Sequence, residues 1–374
     1  MPIRPLTFIG DRDAPDALSA VHARRPVLGS GKPPNELVKL AARRSLYVAS
    51  RGNRKPTIGI ERVRGSKPPQ WRVDVPVDDV LHGARPGESL RRDEPAEVLK
   101  KANRSVGFSG HRPDWVDALY VPRRGTADTQ ELLTRFSGRR VRPLWVFGQD
   151  NRWEFRDPAW PWGLVGRIVD NRGRTGTGAL VGDRLVVTAG HMVPWGDSPW
   201  WMQFVPAYYD GISLHGAGVQ SYVSDAYGYE VSGHPTGYDW AILRLYEPLG
   251  QWLGYFGYNG YSEDWDDQPW WSIIGYPSAI ANGMRPSFQG GITVGDVDSD
   301  DGGGEELESD TADISPGDSG GPMFGWWGGD PRLIGVVSGD EAITFPWTWD
   351  QDNIMAGGSG FTSLIGWGRT NWPA

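Results

Sequence analysis

From residue 176 onward, short apolar runs follow one another between Gly, Pro and Asp residues. Ala179-Leu180-Val181 and Arg184 to Thr188 flank the turn-forming pair Gly182-Asp183, and Asp239 to Leu245, Trp271 to Gly275 and Arg332 to Ser338 are similar. Runs this short, bounded by turn formers, predict strands, and their close punctuation predicts an all-β barrel or sandwich. A helical period emerges only in the last few residues. The first 144 residues read differently. Asn35 to Ala42 has the pattern of an N-capped helix, Trp71 to Val77 alternates as a short strand, and Glu94 to Ala102 and Asp128 to Phe136 are short helix candidates. Breakers such as Lys67-Pro68-Pro69 and Arg85-Pro86-Gly87 separate them, and Arg123-Arg124 and Arg139-Arg140 lie in a Gly- and Arg-rich stretch that predicts an exposed linker. No repeat at a solenoid period is present.

Charge sharpens this contrast. Residues 1–144 hold 28 basic and 16 acidic side chains, a net +12, whereas residues 145–374 hold 10 and 30, a net −20. All the lysines lie in the first part, and of the 20 Trp only Trp71 and Trp115 do. The break predicts a basic, mixed and loop-rich region at 1–144 and a β domain at 145–374, long enough for a buried core. With no cysteine in the 374 residues, disulfide frameworks, Cys-ligated zinc, iron–sulfur clusters and cysteine nucleophiles are excluded. No apolar run approaches the ~20 residues of a membrane span, and the start at Met1 lacks the apolar core of a secretory signal.

Three patches carry candidate chemistry: Val186-Val187-Thr188-Ala189-Gly190-His191, Tyr238-Asp239-Trp240-Ala241-Ile242-Leu243, and Gly317-Asp318-Ser319-Gly320-Gly321-Pro322. An alcohol is a weak nucleophile at neutral pH, so Ser319 requires a base such as His191 within reach. Asp239 would hold the imidazole in one tautomer and stabilise the imidazolium; Asp210 and Asp225 are its rivals. The glycines around Ser319 permit a sharp turn in which the Gly317 and Ser319 N–H groups converge as an oxyanion hole.

With its candidate residues in the order His, Asp, Ser, the sequence resembles the chymotrypsin-like serine proteases, and more closely their bacterial glutamyl-endopeptidase branch. Gly148-Gln149-Asp150-Asn151-Arg152, Trp160-Pro161-Trp162, Glu247-Pro248-Leu249-Gly250, Gly254-Tyr255-Phe256-Gly257-Tyr258 and Gly275-Tyr276-Pro277 carry the likeness, which spans roughly residues 146–370. The resemblance implies two antiparallel six-stranded β-barrels with His191 and Asp239 on the first and Ser319 on the second. It implies hydrolysis of protein or peptide substrates through an acyl-enzyme, with no cofactor, no metal, and no nucleic-acid or membrane partner. The family is mostly secreted, whereas the missing signal favours the cytoplasm, so localisation stays open.

The resemblance also implies finer roles. Ser338 is similar to the family serine that supports the triad Asp, and together with Asp313 and Asp340 it falls among the residues expected around the substrate pocket. Asp313, six residues before Ser319, lies where the basic-specific branch holds its pocket-floor acid, although glutamyl endopeptidases can also carry an Asp there, so a purely structural acid is the alternative. Val337 lies where glutamyl endopeptidases carry the His that binds a substrate carboxylate. The expected preference is therefore for cleavage after Arg or Lys, with cleavage after Glu as the alternative. Asp318 corresponds to the acid that pairs with a new α-amino group once a prosegment is removed. Arg140/Val141 and Trp145/Val146 are the candidate cut sites, and pairing of Asp318 with an internal arginine is the alternative that needs no cut. Residues 1–144 are then expected to dock on the protease as an inhibitory or folding-assisting prosegment, tethering raising their effective concentration to about millimolar. A nucleic-acid-binding arm is disfavoured by its few aromatics.

Two features stand outside this scheme. The acidic run Asp296, Asp298, Asp300, Asp301, Glu305, Glu306, Glu308, Asp310 reads as a solvated loop, because a calcium loop counted from Asp296 finds Asp301 and Leu307 where Gly and Glu are needed. The pairs Trp200-Trp201, Trp270-Trp271 and Trp326-Trp327 read as barrel core and rim before they read as an exposed binding surface. An inactive protease-like binding module and an esterase are the alternative functions.

Overall fold

A computed structural model of the chain describes residues 13–43, 84–92, 107–125, 146–231, 236–345 and 348–373, and in addition the backbone of short strands at 8–9, 45–49, 60–62, 70–74, 135–136 and 139–140. The side chains of 301 and 341–351 are outside that description.

The first barrel consists of β1 (Val165–Asp170), β2 (Thr175–Gly182), β3 (Leu185–Thr188), β4 (Met202–Pro206), β5 (Ser221–Gly228) and β6 (Ala241–Leu245). The antiparallel order is β4-β1-β2-β3-β6-β5, and Gln203↔Tyr222 and Phe204↔Ser221 close β4 onto β5. Nearly every residue of β1, β2 and β3 is buried, so these strands show continuous apolar or small-residue runs in place of clean alternation. The second sheet contains β7 (Trp271–Gly275), β8 (Ser287–Ile292), β9 (Asp296–Asp300), β10 (Gly304–Ser309), β11 (Pro322–Trp327), β12 (Asp330–Phe345) and β13 (Thr348–Gly357), in the order β8-β7-β11-β12-β13-β10-β9. Among the described residues no ladder joins β8 to β9, so the second sheet, unlike the first, is not closed by paired strands, although its order is consistent with a second barrel. The fold is all-β in its body, as expected, with one helix at the end, Gly358–Asn371. Among the described residues no helix is long and apolar enough to cross a membrane.

The basic N-terminal region crosses the boundary expected at 144/145. Ser89–Arg92 adds to β5 as a parallel strand, and Gly107–Phe108 pairs with Gly257–Tyr258 at the edge of the second sheet. Residues 117–119 run between Val27 and Trp160, exchanging backbone hydrogen bonds with both. Val21, Leu37, Leu40, Val116 and Ala118 are buried in the same apolar cluster as Trp162, Leu180 and Phe324. Arg123 forks onto the buried Asp157 at 2.7 and 2.9 Å, and Arg124 stacks over Trp153, so the linker expected at 123–124 is instead fastened chain. The helix expected at Asn35–Ala42 forms with those bounds, burying Leu37 and Leu40, although Pro34 and not Asn35 occupies the cap position. A strand stands at Gln70–Asp74, overlapping the predicted 71–77 over residues 71–74. The predicted helix at 94–102 lies outside the described residues. Of that at 128–136, residues 128–134 lie outside the described residues, and Arg135–Phe136 form a two-residue strand paired with Arg139–Arg140.

Among the described residues many tryptophans are core, and others such as Trp201, Trp270 and Trp367 are half-buried. Trp162, Trp240, Trp271 and Trp326 are fully buried, and in each predicted pair at least one ring is buried. The acidic run is also not a loop: β9 and β10 form a regular hairpin from Asp296↔Glu308 to Asp300↔Gly304, with Leu307 buried beneath it.

One seam of this packing is pH-sensitive. The helix at 35–42 lies against Leu214–Gly216, where a cavity of about 520 Å³ opens. The ring of His215 there contacts the Gly163 carbonyl at 3.1 Å, and burial pulls its pKa down to about 4. Unfolded, the same imidazole titrates near 6.5, so the unfolded chain takes up a proton that the folded chain refuses until about pH 4. His215 therefore removes stability as pH falls from 6.5 to 4 and has no such effect above 6.5. His215→Gln is expected to recover a few degrees of the unfolding midpoint at pH 4.5 relative to pH 7.5, as measured by thermal scans of both proteins.

Candidate active site

His191 sits on a short turn, Gly190–Met192, immediately after β3. Arg174, at the start of the turn into β2, donates to the His191 and Met192 carbonyls at 2.8 and 3.1 Å while its Nε holds the buried Asp170 at 2.7 Å. Trp195 Nε1 donates to the Gly190 carbonyl at 2.9 Å. The turn is thus gripped by two side chains that sequence inspection did not single out.

Asp239 precedes β6, and its carboxylate is 1 % exposed. One oxygen accepts the His191 backbone N–H at 2.9 Å; the other accepts His191 Nδ1–H at 2.7 Å and the Ser338 hydroxyl at 2.6 Å. A carboxylate against Nδ1 puts the proton on that nitrogen and leaves Nε2 as the acceptor. Ser338 reaches Asp239 because the register of β12 against β13 shifts between Val337 and Gly339, a bulge that redirects its side chain. Ser338 therefore faces Asp239, the supporting place that the family resemblance implies. Asp210 instead pairs with Arg285 and Asp225 with Arg244, so neither rival acid is at His191.

The loop with Ser319 lies against the His191 turn. Gly320, at φ +79°, passes so close that an added Cβ would stand 2.1 Å from Thr188 Oγ1, 2.4 Å from the Thr177 carbonyl and 2.7 Å from the Ala189 nitrogen. Thr177 donates its N–H to the Ser319 carbonyl at 2.9 Å and its hydroxyl to the Gly317 carbonyl at 2.7 Å. Among the described residues no hydrogen bond joins Ser319 Oγ to His191, a contact that in resting enzymes often tightens only with substrate.

The peptide planes around Ser319 are set from behind. The Pro316 carbonyl accepts the Ser278 N–H and the Asp318 carbonyl accepts the Gly321 N–H, both at 2.7 Å. Both planes are trans, so the Gly317 and Ser319 N–H groups point the opposite way. Among the described residues neither N–H has a partner. Gly317 holds φ +102°, a conformation that suits glycine.

Asp318 and Asp313 have partners that the sequence did not reveal. Arg152, 4 % exposed, donates through Nη1 to Asp318 Oδ2 at 2.9 Å and to Ser315 Oγ at 3.0 Å, while its other nitrogens hold Asp150 at 2.9 and 3.1 Å. Asp318 thus takes an internal arginine. Burial, against the pull of Arg152, pushes its carboxyl up to about 6. Asp313 corrects the pocket-floor expectation. Its oxygens accept the Phe147 and Asn151 N–H groups at 3.0 and 2.8 Å and the Gln289 amide at 3.1 Å, so the carboxylate anchors residues 147–151. Burial raises its pKa. Asp340 lies half-buried on β12 opposite Asn353, and Val337 is 1 % exposed. Val146 is half-buried at the start of a described stretch, whereas Val141 lies outside the described residues. Among the described residues no group of three His, Cys, Asp or Glu is placed to hold a metal ion.

Residues 176–336 match the family model of the trypsin-like peptidase domain, a span that includes His191, Asp239 and Ser319. No curated protein matches the chain. Among solved structures, a Glu endopeptidase in complex with MPD is 18 % identical, aligns over 60 % of this chain and 99 % of its own, and has a TM-score of 0.47. The protease Anisep from Arthrobacter nicotinovorans is 18 % identical over 57 % of this chain and 99 % of its own, with a TM-score of 0.41.

Proposed function

We propose that this chymotrypsin-like serine endopeptidase cleaves peptide bonds with Ser319 as nucleophile, His191 as general base and acid, and Asp239 as the group that orients and charges the imidazole. The observation that carries the reading is the double hydrogen bond of Asp239 to His191, on a turn packed against the Ser319 loop with its two unpaired N–H groups. In the proposed sequence, Nε2 takes the Ser319 proton as Oγ attacks the scissile carbonyl, and the Gly317 and Ser319 N–H groups stabilise the oxyanion. The imidazolium then protonates the leaving amine. Water, deprotonated by the same nitrogen, releases the acyl group and restores Ser319. Each oxyanion donor is worth about 3 kcal/mol in such chemistry.

Hydrolysis of an unstructured protein substrate, with each new amine counted, tests this reading. It predicts turnover by the purified chain and none by Ser319→Ala. Turnover of small esters alone supports an esterase, and binding of peptide without turnover supports the inactive module.

The proposed preference for Arg or Lys before the scissile bond draws its support from Asp340, since Asp313 is taken up by backbone amides. Buried Val337 offers no cation for a Glu side chain. Asp340→Asn is expected to narrow the ratio of cleavage after Arg over Glu by up to about 5-fold, the range of a partly exposed charge pair, while Asp313→Asn leaves that ratio unchanged. Paired peptides differing only at that residue measure both.

Docking of residues 1–144 on the protease is supported by the opposite charges of the two parts and by the pairs Arg123–Asp157 and Arg92–Glu230. Burial of Val21, Leu37, Leu40 and Val116 favours a folding role over that of a detachable inhibitor.

A further inference from the structure

We infer that Arg152 is a positioning residue that presets the anion-binding N–H groups of the Ser319 loop, so that the uncut chain is already the competent enzyme. The inference rests on the proposed role of Ser319 and goes beyond it to how the site is switched on. Its starting point is a buried carboxylate, Asp318, between the two N–H donors. Left without a cation, Asp318 would be costly to bury, and the loop would relax to expose it. Here the cation is built into the chain. The Arg152 guanidinium grips Asp318 and Ser315, and the Ser315 N–H returns a bond to the same Asp318 oxygen at 2.9 Å. That triangle closes residues 315–318 into one turn, which carries the Gly317 N–H and leads directly into that of Ser319.

Arg152 is itself held from the other side. Asp150 takes its Nε and Nη2, and Asp313 secures the backbone of residues 147 and 151. One buried network of Asp150, Arg152, Asp313, Ser315 and Asp318 therefore ties the start of the domain to the nucleophile loop. Nothing in that network needs a new chain terminus. The same conclusion follows from the N-terminal region, whose residues complete a shared core and extend both sheets, so its removal would expose Trp162, Trp160 and their neighbours.

The test is labelling of the full-length chain by a fluorophosphonate, with intact mass recorded at each time point. The expected result is labelling at Ser319 while the mass still equals that of 374 residues. Arg152→Lys, which keeps the charge but loses the fork, is expected to label within about 10-fold of the parent, and Arg152→Met about 100-fold more slowly, the scale of losing one oxyanion donor. That loss is to appear in kcat with KM little changed, a split that general loosening of the fold does not produce. Because Arg152→Met leaves two carboxylates unpaired and can fail to fold, the double variant Arg152→Met/Asp318→Asn is measured beside it and is expected to label at least 10-fold more slowly than the parent. Labelling that begins only after a cut between residues 126 and 146 overturns the inference while sparing the role of Ser319. So does labelling of the double variant at the parent rate. Absence of labelling from cut and uncut chain alike overturns both.

Discussion

Asp239→Asn is expected to lower kcat by about 10⁴-fold at neutral pH with little change in KM. The carboxamide retains the size of Asp239, but only its oxygen can accept a hydrogen bond, and three donors now converge on the carboxylate: the His191 N–H, the His191 Nδ1–H and the Ser338 hydroxyl. Turning the amide nitrogen toward the ring forces the proton to Nε2, the nitrogen proposed to accept from Ser319. A loss of this size is the known cost of the wrong tautomer in a triad of this type. Stopped assays on one peptide substrate across pH 5 to 10 measure it, and a loss below 10-fold would remove Asp239 from the mechanism.

Gly320→Ala carries the second large effect, in stability and activity together. The new methyl meets Thr188 Oγ1 and two backbone atoms within 2.7 Å, and an alanine at φ +79° adds about 1–2 kcal/mol of backbone strain. With overpacking of similar size, the expected destabilisation is roughly 3 kcal/mol. Because Gly320 follows Ser319 and touches the strand end that leads into His191, relief of the clash moves Ser319 away from His191. Activity should fall about 100-fold even at temperatures where the variant is folded, the scale of a 1 Å misplacement. Denaturant titration and kcat on the same sample separate the two effects.

What the chain disclosed of itself follows physical lines. Arg184 to Thr188, Asp239 to Leu245 and Trp271 to Gly275 were legible as strands because their apolar residues are contiguous and turn formers bound them. The helix at 35–42 was legible as an N-capped pattern, although Pro34 and not Asn35 takes the cap position. His191, Asp239 and Ser319 stand out because each sits in a patch whose neighbours have few other reasons to occur together. An internal arginine for Asp318 was one legible alternative, but the actual partners of Asp318 and Asp313, namely Arg152, Gln289 and the backbone of residues 147 and 151, were not, since they come from distant parts of the sequence. Arg152 was visible within Gly148 to Arg152, but nothing local says where a guanidinium points.

Charge masked two features of the packing. The charge break at residue 144 describes surfaces, whereas packing is decided by scattered apolar residues such as Val21, Val116 and Ala118, which have no period. In the acidic run, Asp296, Asp298 and Asp300 do alternate as a strand should, but Val297 and Leu307 supply so little apolar signal that the charges hid the hairpin.

Ser319 as the nucleophile is the central claim. The most direct test is incubation of the purified chain with a fluorophosphonate, followed by peptide mapping of the adduct, beside His191→Ala and Ser319→Ala. One adduct per chain on Ser319, greatly slowed in His191→Ala and absent from Ser319→Ala, is the predicted result. An adduct on another residue, or a Ser319 that stays unmodified in a chain that is folded and still cleaves protein, would contradict it.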